Sequence, residues 1–410
     1  MMNRATGLAS AVLRGERAAL ARAISLVESV APQQREQADI LLQELLAKPA
    51  PVSAADRLRI GISGPPGAGK STLIEALGTE IVGRGHKLAV LAVDPSSRRS
   101  GGSILGDKTR MPRLSSDPRA YVRPSPARGA LGGVAPRTED SILLCECAGY
   151  DRVIVETVGV GQSEVDVARM CDLFVLLVPP AAGDELQGIK RGIMELADVC
   201  LVTKADGSLR PAAAEAARQL RASLKVLRPR SNVWTPRVLE VSSLAAAEGG
   251  ADAAGAAIAA ASRGRCSTVG SPQGSADGSS AAPGQGPKPS AGASEVADLL
   301  EEFRGAHLSV EGGLEVRRRA QAEEAVREHA WSALLERLAA QPDVEALIRN
   351  VSGQAAERRL AMSQAGAQVA SRILKAMQSS GVRGSVRVST CHVHDMVHDG
   401  GGGSDGSRST

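Results

Sequence analysis

The segment Gly64-Pro65-Pro66-Gly67-Ala68-Gly69-Lys70-Ser71 has the spacing G-x-x-x-x-G-K-[ST]. It lies between residues 59–63, which read as a short buried strand, and residues 72–82, which read as a helix. Glycines at those positions let backbone N–H groups turn inward around phosphates, and the helix start adds the positive end of its dipole. Lys70 brings a point charge to the β and γ oxygens, and Ser71 places a hydroxyl on a magnesium ion. Nucleoside triphosphate binding follows. Further on, Thr203-Lys204-Ala205-Asp206 closes another apolar run. Asp206 can accept two hydrogen bonds from a guanine edge, where adenine offers no matching donor pair, and Lys204 can lie along the ring. GTP is therefore expected over ATP. Three carboxylates sit where this fold class puts chemistry: Asp94 after residues 88–93, Glu156 after residues 153–155, and Asp107 in a glycine-rich polar loop. Together they could hold Mg²⁺ and orient an attacking water.

These residues need a scaffold of short strands ending at one edge. Runs at 59–63, 88–93, 153–155, 173–178, 199–203 and 238–242 are β-branched or leucine-rich, with segments between them long enough for helical crossovers. The alternation predicts an α/β fold, a P-loop NTPase with a mainly parallel sheet and helices on both faces. Before it, apolar spacings through residue 46 predict two helices ahead of a Pro49/Pro51 linker. After it, residues 262–294 are mostly Ser, Gly, Ala and Pro and predict a disordered insert. Three more amphipathic helices are expected around 299–303, 334–338 and 360–374, then a mobile Gly/Ser tail.

Composition narrows the function. The 410 residues carry 49 Lys and Arg against 45 Asp and Glu, a net charge of +4 with both signs scattered, so no basic field is available for a polyanion. Six aromatics (Tyr121, Tyr150, Phe174, Trp234, Phe303, Trp331) leave almost no surface for stacking on bases. A nucleic-acid partner is not expected. No run approaches the roughly 20 apolar residues of a membrane helix, so no membrane partner is expected either. The six cysteines are too sparse for a disulfide scaffold, which fits a reducing compartment; Cys145 and Cys147 read as small buried hydrophobes.

Beyond the phosphate loop, DPSS from Asp94, GGSILGDKTRM from Gly101, RPSP from Arg123, LGGV from Leu131, ETVGVGQSE from Glu156 and GDELQGIK from Gly183 occur in fixed order. Together they resemble the GTPase chaperones of methylmalonyl-CoA mutase, the MeaB type, once catalogued as ArgK-like transport kinases. The likeness runs from about residue 14 to 241 and, more loosely, from 294 to 377. It implies a G domain of the signal-recognition-particle and MinD class at 51–261, flanked by an N-terminal helical segment at 1–50 and a C-terminal helical dimerisation arm at 295–380. The insert at 262–294 is foreign to the family core, and 381–410 is tail.

The resemblance further implies slow Mg²⁺-dependent hydrolysis of GTP to GDP, used to gate adenosylcobalamin loading onto an acyl-CoA mutase and to protect that enzyme. The cobalamin would reach this chain only through its partner. By matching motif, the phosphate site is Gly64, Pro65, Pro66, Gly67, Ala68, Gly69, Lys70, Ser71 and Thr72. Lys70, Asp94, Asp107 and Glu156 are catalytic, and Ser71 joins the three carboxylates on Mg²⁺. Thr203, Lys204, Asp206, Ser242 and Ser243 surround guanine. Gln162 lies in a second switch (156–164), and Gly183, Asp184, Glu185, Gln187 and Lys190 in a third that faces the mutase. Thr203 stands where many GTPases have Asn, which removes an amide that ties the base loop to the phosphate loop and is expected to loosen nucleotide affinity, with guanine selectivity kept by Asp206. No loop offers an obvious arginine finger; Arg98, Arg99 and Arg110 are candidates beside a reading as solvated charge.

Two other readings stay open at the sequence level, a nickel-type metallocentre insertase and a kinase of a transport protein. The former draws on Cys391, His392, His394 and His398 near the C-terminus, which otherwise read as an inert tail. Arg4 and Arg14, with no acid before Glu16, suggest a presequence, but the first family helix starts too early to leave room for one. A cytoplasmic protein is expected, with the mitochondrial matrix as the alternative.

Overall fold

The computed structural model describes residues 2–29, 31–94, 111–126, 135–157, 162–180, 191–242, 292–310, 312–339 and 341–379. Among them a seven-stranded sheet is parallel throughout: β1 (Leu58–Ser63), β2 (Leu88–Asp94), β3 (Ala120–Pro126), β4 (Arg152–Thr157), β5 (Leu173–Val178), β6 (Val199–Val202) and β7 (Arg237–Glu240), in the order β3-β2-β4-β1-β5-β6-β7. β4 and β5 are buried at every position, as expected when helices cover both faces.

Side-chain alternation divides the core in two. Val153, Val155, Phe174, Leu176 and Val178 face one layer, which includes α1 (Met2–Leu13), α2 (Arg17–Val27), α3 (Pro32–Leu46), α6 (Ala135–Cys147) and α7 (Gln162–Met170). Ile60, Ile62, Ile154, Val175 and Leu177 face the other, which includes α4 (Lys70–Gly83), α5 (Pro112–Ser116) and α10 (Ala293–Leu308). The remaining crossovers are α8 (Arg191–Leu196) and α9 (Arg210–Val226).

Four differences from the sequence reading have physical causes. Three N-terminal helices stand where two were expected, because Gly15 and Glu16 break the first stripe and α1 and α3 pack on each other. β3 was not expected at all. Its Pro124 and Pro126 disfavour an interior strand, but β3 lies at the sheet edge, where N–H groups on the outward side have no ladder partner to lose. At the C-terminal end four helices replace three: α10, α11 (Gly313–Ala339), α12 (Pro342–Ala356) and α13 (Met362–Ser379). Finally, the segment expected to open a separate arm at 295 instead joins the sheet domain. Val296, Leu299, Leu300 and Phe303 of α10 are buried in the α4 layer, where Phe303 meets Trp234 edge to face at 5.2 Å. The chain divides into two compact units at residues 334 and 335, inside α11. In the second, Val351, Ala355 and Ala365 form a small core between α12 and α13. The expected insert, apart from its last residues, and the tail lie outside the described residues.

Candidate active site

Those residues singled out for chemistry that are described collect at the carboxyl edge of the sheet. β1 ends at Ser63, and residues 64–69 turn directly into α4, whose first residue is Lys70. Gly64 is required sterically, since a Cβ there would meet the Leu177 carbonyl oxygen at 2.6 Å. Gly69 caps α4 in the left-handed region at φ +89°, which glycine adopts without penalty. Pro65 and Pro66 complete the bend, Gly67 is also left-handed, and Ala68 is buried. Ser71 and Thr72 continue the first turn of α4. The buried Lys70 ammonium donates to the carbonyls of Gly64 (2.7 Å) and Pro65 (3.1 Å), which holds its charge over the turn.

Glu156 comes from β4, beside β1 in the ladder. The register pairs it with Ile62 on one side and Ala92 on the other, placing the end of β2, and so Asp94, at the same edge. Its buried carboxylate accepts a hydrogen bond from Ser71 Oγ at 3.3 Å. Two hard oxygen donors this close at the start of a phosphate loop suit a Mg²⁺ ion. The third expected carboxylate, Asp107, lies outside the described residues, as do Gly183, Asp184, Glu185, Gln187, Lys190 and Ser243. Of Asp94 and Gln162 only the backbone is described.

The base loop follows β6. Asp206 Oδ2 accepts from the buried Ser242 hydroxyl at 2.5 Å, and Ala205 N–H donates to Val241 O, so the carboxylate is aimed by two segments at once. Lys204 is exposed and adopts φ +54°, an uncommon conformation for a side-chain-bearing residue and one that concentrates at functional loops. Thr203 lacks that amide but still ties the two loops. Its Oγ1 donates to Ala68 O at 2.7 Å, so the base loop is tied to the phosphate loop by a hydroxyl instead of an amide. Sequence reasoning also missed Ser63, Thr157 and Glu164, a buried hydrogen-bonded trio beneath the phosphate loop. Their only signal was position, immediately before Gly64, immediately after Glu156 and within the second switch segment. Cys145, Cys171 and Cys200 are buried, and burial pushes their thiols well above the ordinary range, so they are inert hydrophobes. Among the described residues no His, Cys, Asp and Glu cluster could hold a metal by itself, and no helix is long and apolar enough to cross a membrane.

The family model described as "Methylmalonyl Co-A mutase-associated GTPase MeaB" matches residues 20–263, well over half of the chain. The chain belongs to this MeaB family. Among its relatives a probable GTPase of Mycobacterium tuberculosis is 56% identical over 238 residues, covering 58% of this chain and 69% of the relative. The mitochondrial methylmalonic aciduria type A homolog of Mus musculus is 54% identical over 241 residues, 58% of each chain, and the GTPase ArgK of Escherichia coli is 49% identical over 247 residues, 60% of this chain and 73% of that one. A solved structure described as a LAO/AO transport system kinase superposes with a TM-score of 0.63 at 31% identity, covering 90% of this chain and 97% of that one. This MeaB-family protein is thus a P-loop GTPase of α/β fold.

Proposed function

We propose that this GTPase is a chaperone that gates adenosylcobalamin loading onto methylmalonyl-CoA mutase, or a related acyl-CoA mutase, and protects that enzyme from inactivation. The observation that carries the reading is the match to a mutase-associated GTPase family across nearly the whole sheet domain. In this reading residues 64–72 wrap the phosphates, Lys70 balances charge on the β and γ oxygens, and Asp206, aimed by Ser242, reads guanine with Thr203, Lys204 and Ser243 around it. Mg²⁺, when bound, neutralises charge on the β- and γ-phosphates; Ser71 and Glu156 would hold it, with Asp94 and Asp107. Glu156 would also orient the attacking water. The second and third switch segments, including Gln162 and Gly183 to Lys190, would report the nucleotide state to the mutase. Homodimerisation is supported by Val316, Trp331 and Leu334, large apolar side chains exposed on α11. A cytoplasmic or mitochondrial-matrix location fits such a client, and the mouse relative is mitochondrial by name.

The test is co-purification with methylmalonyl-CoA mutase in GTP and in GDP, together with mutase lifetime under turnover. A nucleotide-dependent complex that prolongs activity is expected. Absence of both overturns the chaperone reading, equal hydrolysis of ATP and GTP overturns the base assignment, and phosphate delivered to protein instead of water favours a kinase.

A further inference from the structure

Ser63, the last residue of β1, anchors a short chain of side-chain hydrogen bonds. Thr157 Oγ1 donates to Ser63 Oγ at 2.8 Å, and Ser63 Oγ donates to Glu164 Oε1 at 3.3 Å. Ser63 and Thr157 are fully buried and Glu164 is 6% exposed. A carboxylate at the end of the chain can only accept, so it fixes the donor direction of both hydroxyls. The three residues belong to three elements: Ser63 to β1, Thr157 to β4 and Glu164 to the first turn of α7.

Strand geometry makes this chain relevant to catalysis. Successive side chains alternate across a sheet. Glu156 points to the α4 face, where it meets Ser71, and Thr157 points to the α7 face, where it meets Ser63. Fixing Thr157 therefore fixes the backbone that carries Glu156, while fixing Ser63 holds the start of the phosphate loop. Burying a carboxylate against a serine hydroxyl is unfavourable compared with burying a leucine, even with the helix dipole in its favour. Placement is what such a residue can provide in return.

We propose that Glu164 is a positioning residue for GTP hydrolysis, acting through Ser63 and Thr157 to aim Glu156 at Ser71 from the opposite face of the sheet. The inference rests on the GTPase activity and is independent of any mutase.

Glu164→Gln keeps the shape and an acceptor oxygen but removes the charge that orders the chain. Since an ångström-scale misplacement can lower turnover by about 100-fold, a fall in kcat of at least about tenfold is expected, with KM for GTP within about threefold of the unaltered protein and Tm nearly unchanged. Ser63→Ala should reproduce the loss, and the double variant should be no worse than the poorer single one, because both break one chain. If Glu164→Gln does not fold, Thr157→Val breaks the same chain isosterically and carries the same expectation. Unchanged kcat in the folded variants, losses that add in the double variant, or KM and Tm moving in step with kcat would each overturn the assignment. None of these outcomes bears on mutase binding, so failure here is separable from failure of the chaperone reading.

Discussion

The two edges of the sheet are held by different chemistry. At the carboxyl edge, apart from the Lys70 ammonium on the Gly64 and Pro65 carbonyls, the ties are single hydroxyl bonds: Ser71 to Glu156, Ser63 to Glu164, Thr203 to Ala68 and Ser242 to Asp206. At the amino edge they are buried arginine–carboxylate clusters. Glu146 takes Arg57 and Arg59, Asp172 takes Arg318 through two nitrogens, and Asp198 takes Arg230 and Arg317. Asp172 and Asp198 also accept from the backbone N–H groups of Arg59 and Phe174 at the starts of β1 and β5. Burial alone would raise the Asp172 carboxyl, but Arg318 and Arg59 hold it below its ordinary value. Burial and the neighbouring Arg317 bring Arg230 down to about 10. Both edges use carboxylate acceptors, but a hydroxyl brings a single neutral donor, whereas a guanidinium brings its own charge and parallel donors, which adds energy and geometric definition. The difference teaches that this sheet is clamped by buried ion pairs at one edge and tied mainly through hydroxyls at the edge that carries the phosphate loop.

The contrast can be broken by substitution. Asp198→Ala leaves Arg317 and Arg230 buried without their carboxylate, and should lower stability by about 3–5 kcal/mol in chemical denaturation. Glu156→Ala should do the reverse, leaving stability close to unaltered while lowering kcat by about 100- to 1,000-fold in a GTP hydrolysis assay. If the two variants proved equally unstable, the edges would not differ as described. Thr203→Val removes one neutral bond and should cost about 1 kcal/mol, with a weaker GTP affinity measured by titration. Asp206→Asn should narrow the preference for GTP over ATP without a comparable loss of stability.

The smallest expected effect concerns pH. Burial, and then repulsion by Asp140, Glu328 and Asp166, push the Glu139 carboxyl from 4.5 up to about 7, against the attraction of Arg59. Burial and Asp39 push Asp140 up to about 6. His329 of α11 lies 3.3 Å from Glu139, and its own pKa is lowered by burial. The folded protein therefore holds the Glu139 and Asp140 protons more tightly than the unfolded chain, while His329 contributes a smaller slope of the opposite sign. Stability should fall as pH rises from about 4.5 to about 7 through this region and level off above it. Glu139→Gln should flatten that slope in thermal unfolding followed across the range; an unchanged slope would show that the acids are solvated.

Much of the site was legible in the sequence because its signals are local. A phosphate loop needs glycine where a Cβ would strike Leu177, and a lysine and serine at the first turn of the next helix, and these constraints fall within eight residues. The central strands were legible because burial on both faces leaves continuous apolar runs. What failed were elements whose character depends on distant neighbours. β3 carries two prolines that only an edge position tolerates. Helix α10, after a long insert, looked like the start of an arm because nothing nearby shows that Phe303 fills the layer beside Trp234.

The sequence by itself determined the class of chemistry, that of a P-loop GTPase, since its phosphate loop is a short motif with its own backbone requirement. It also fixed the MeaB resemblance. Tertiary structure alone decided how those pieces are held. Thr203 and Ala68 are 135 residues apart, Ser63 and Glu164 are 101 apart, and Arg318 and Asp172 are 146 apart. No periodicity or motif encodes such pairs, because they exist only once the parallel register has brought one end of each strand to a common edge.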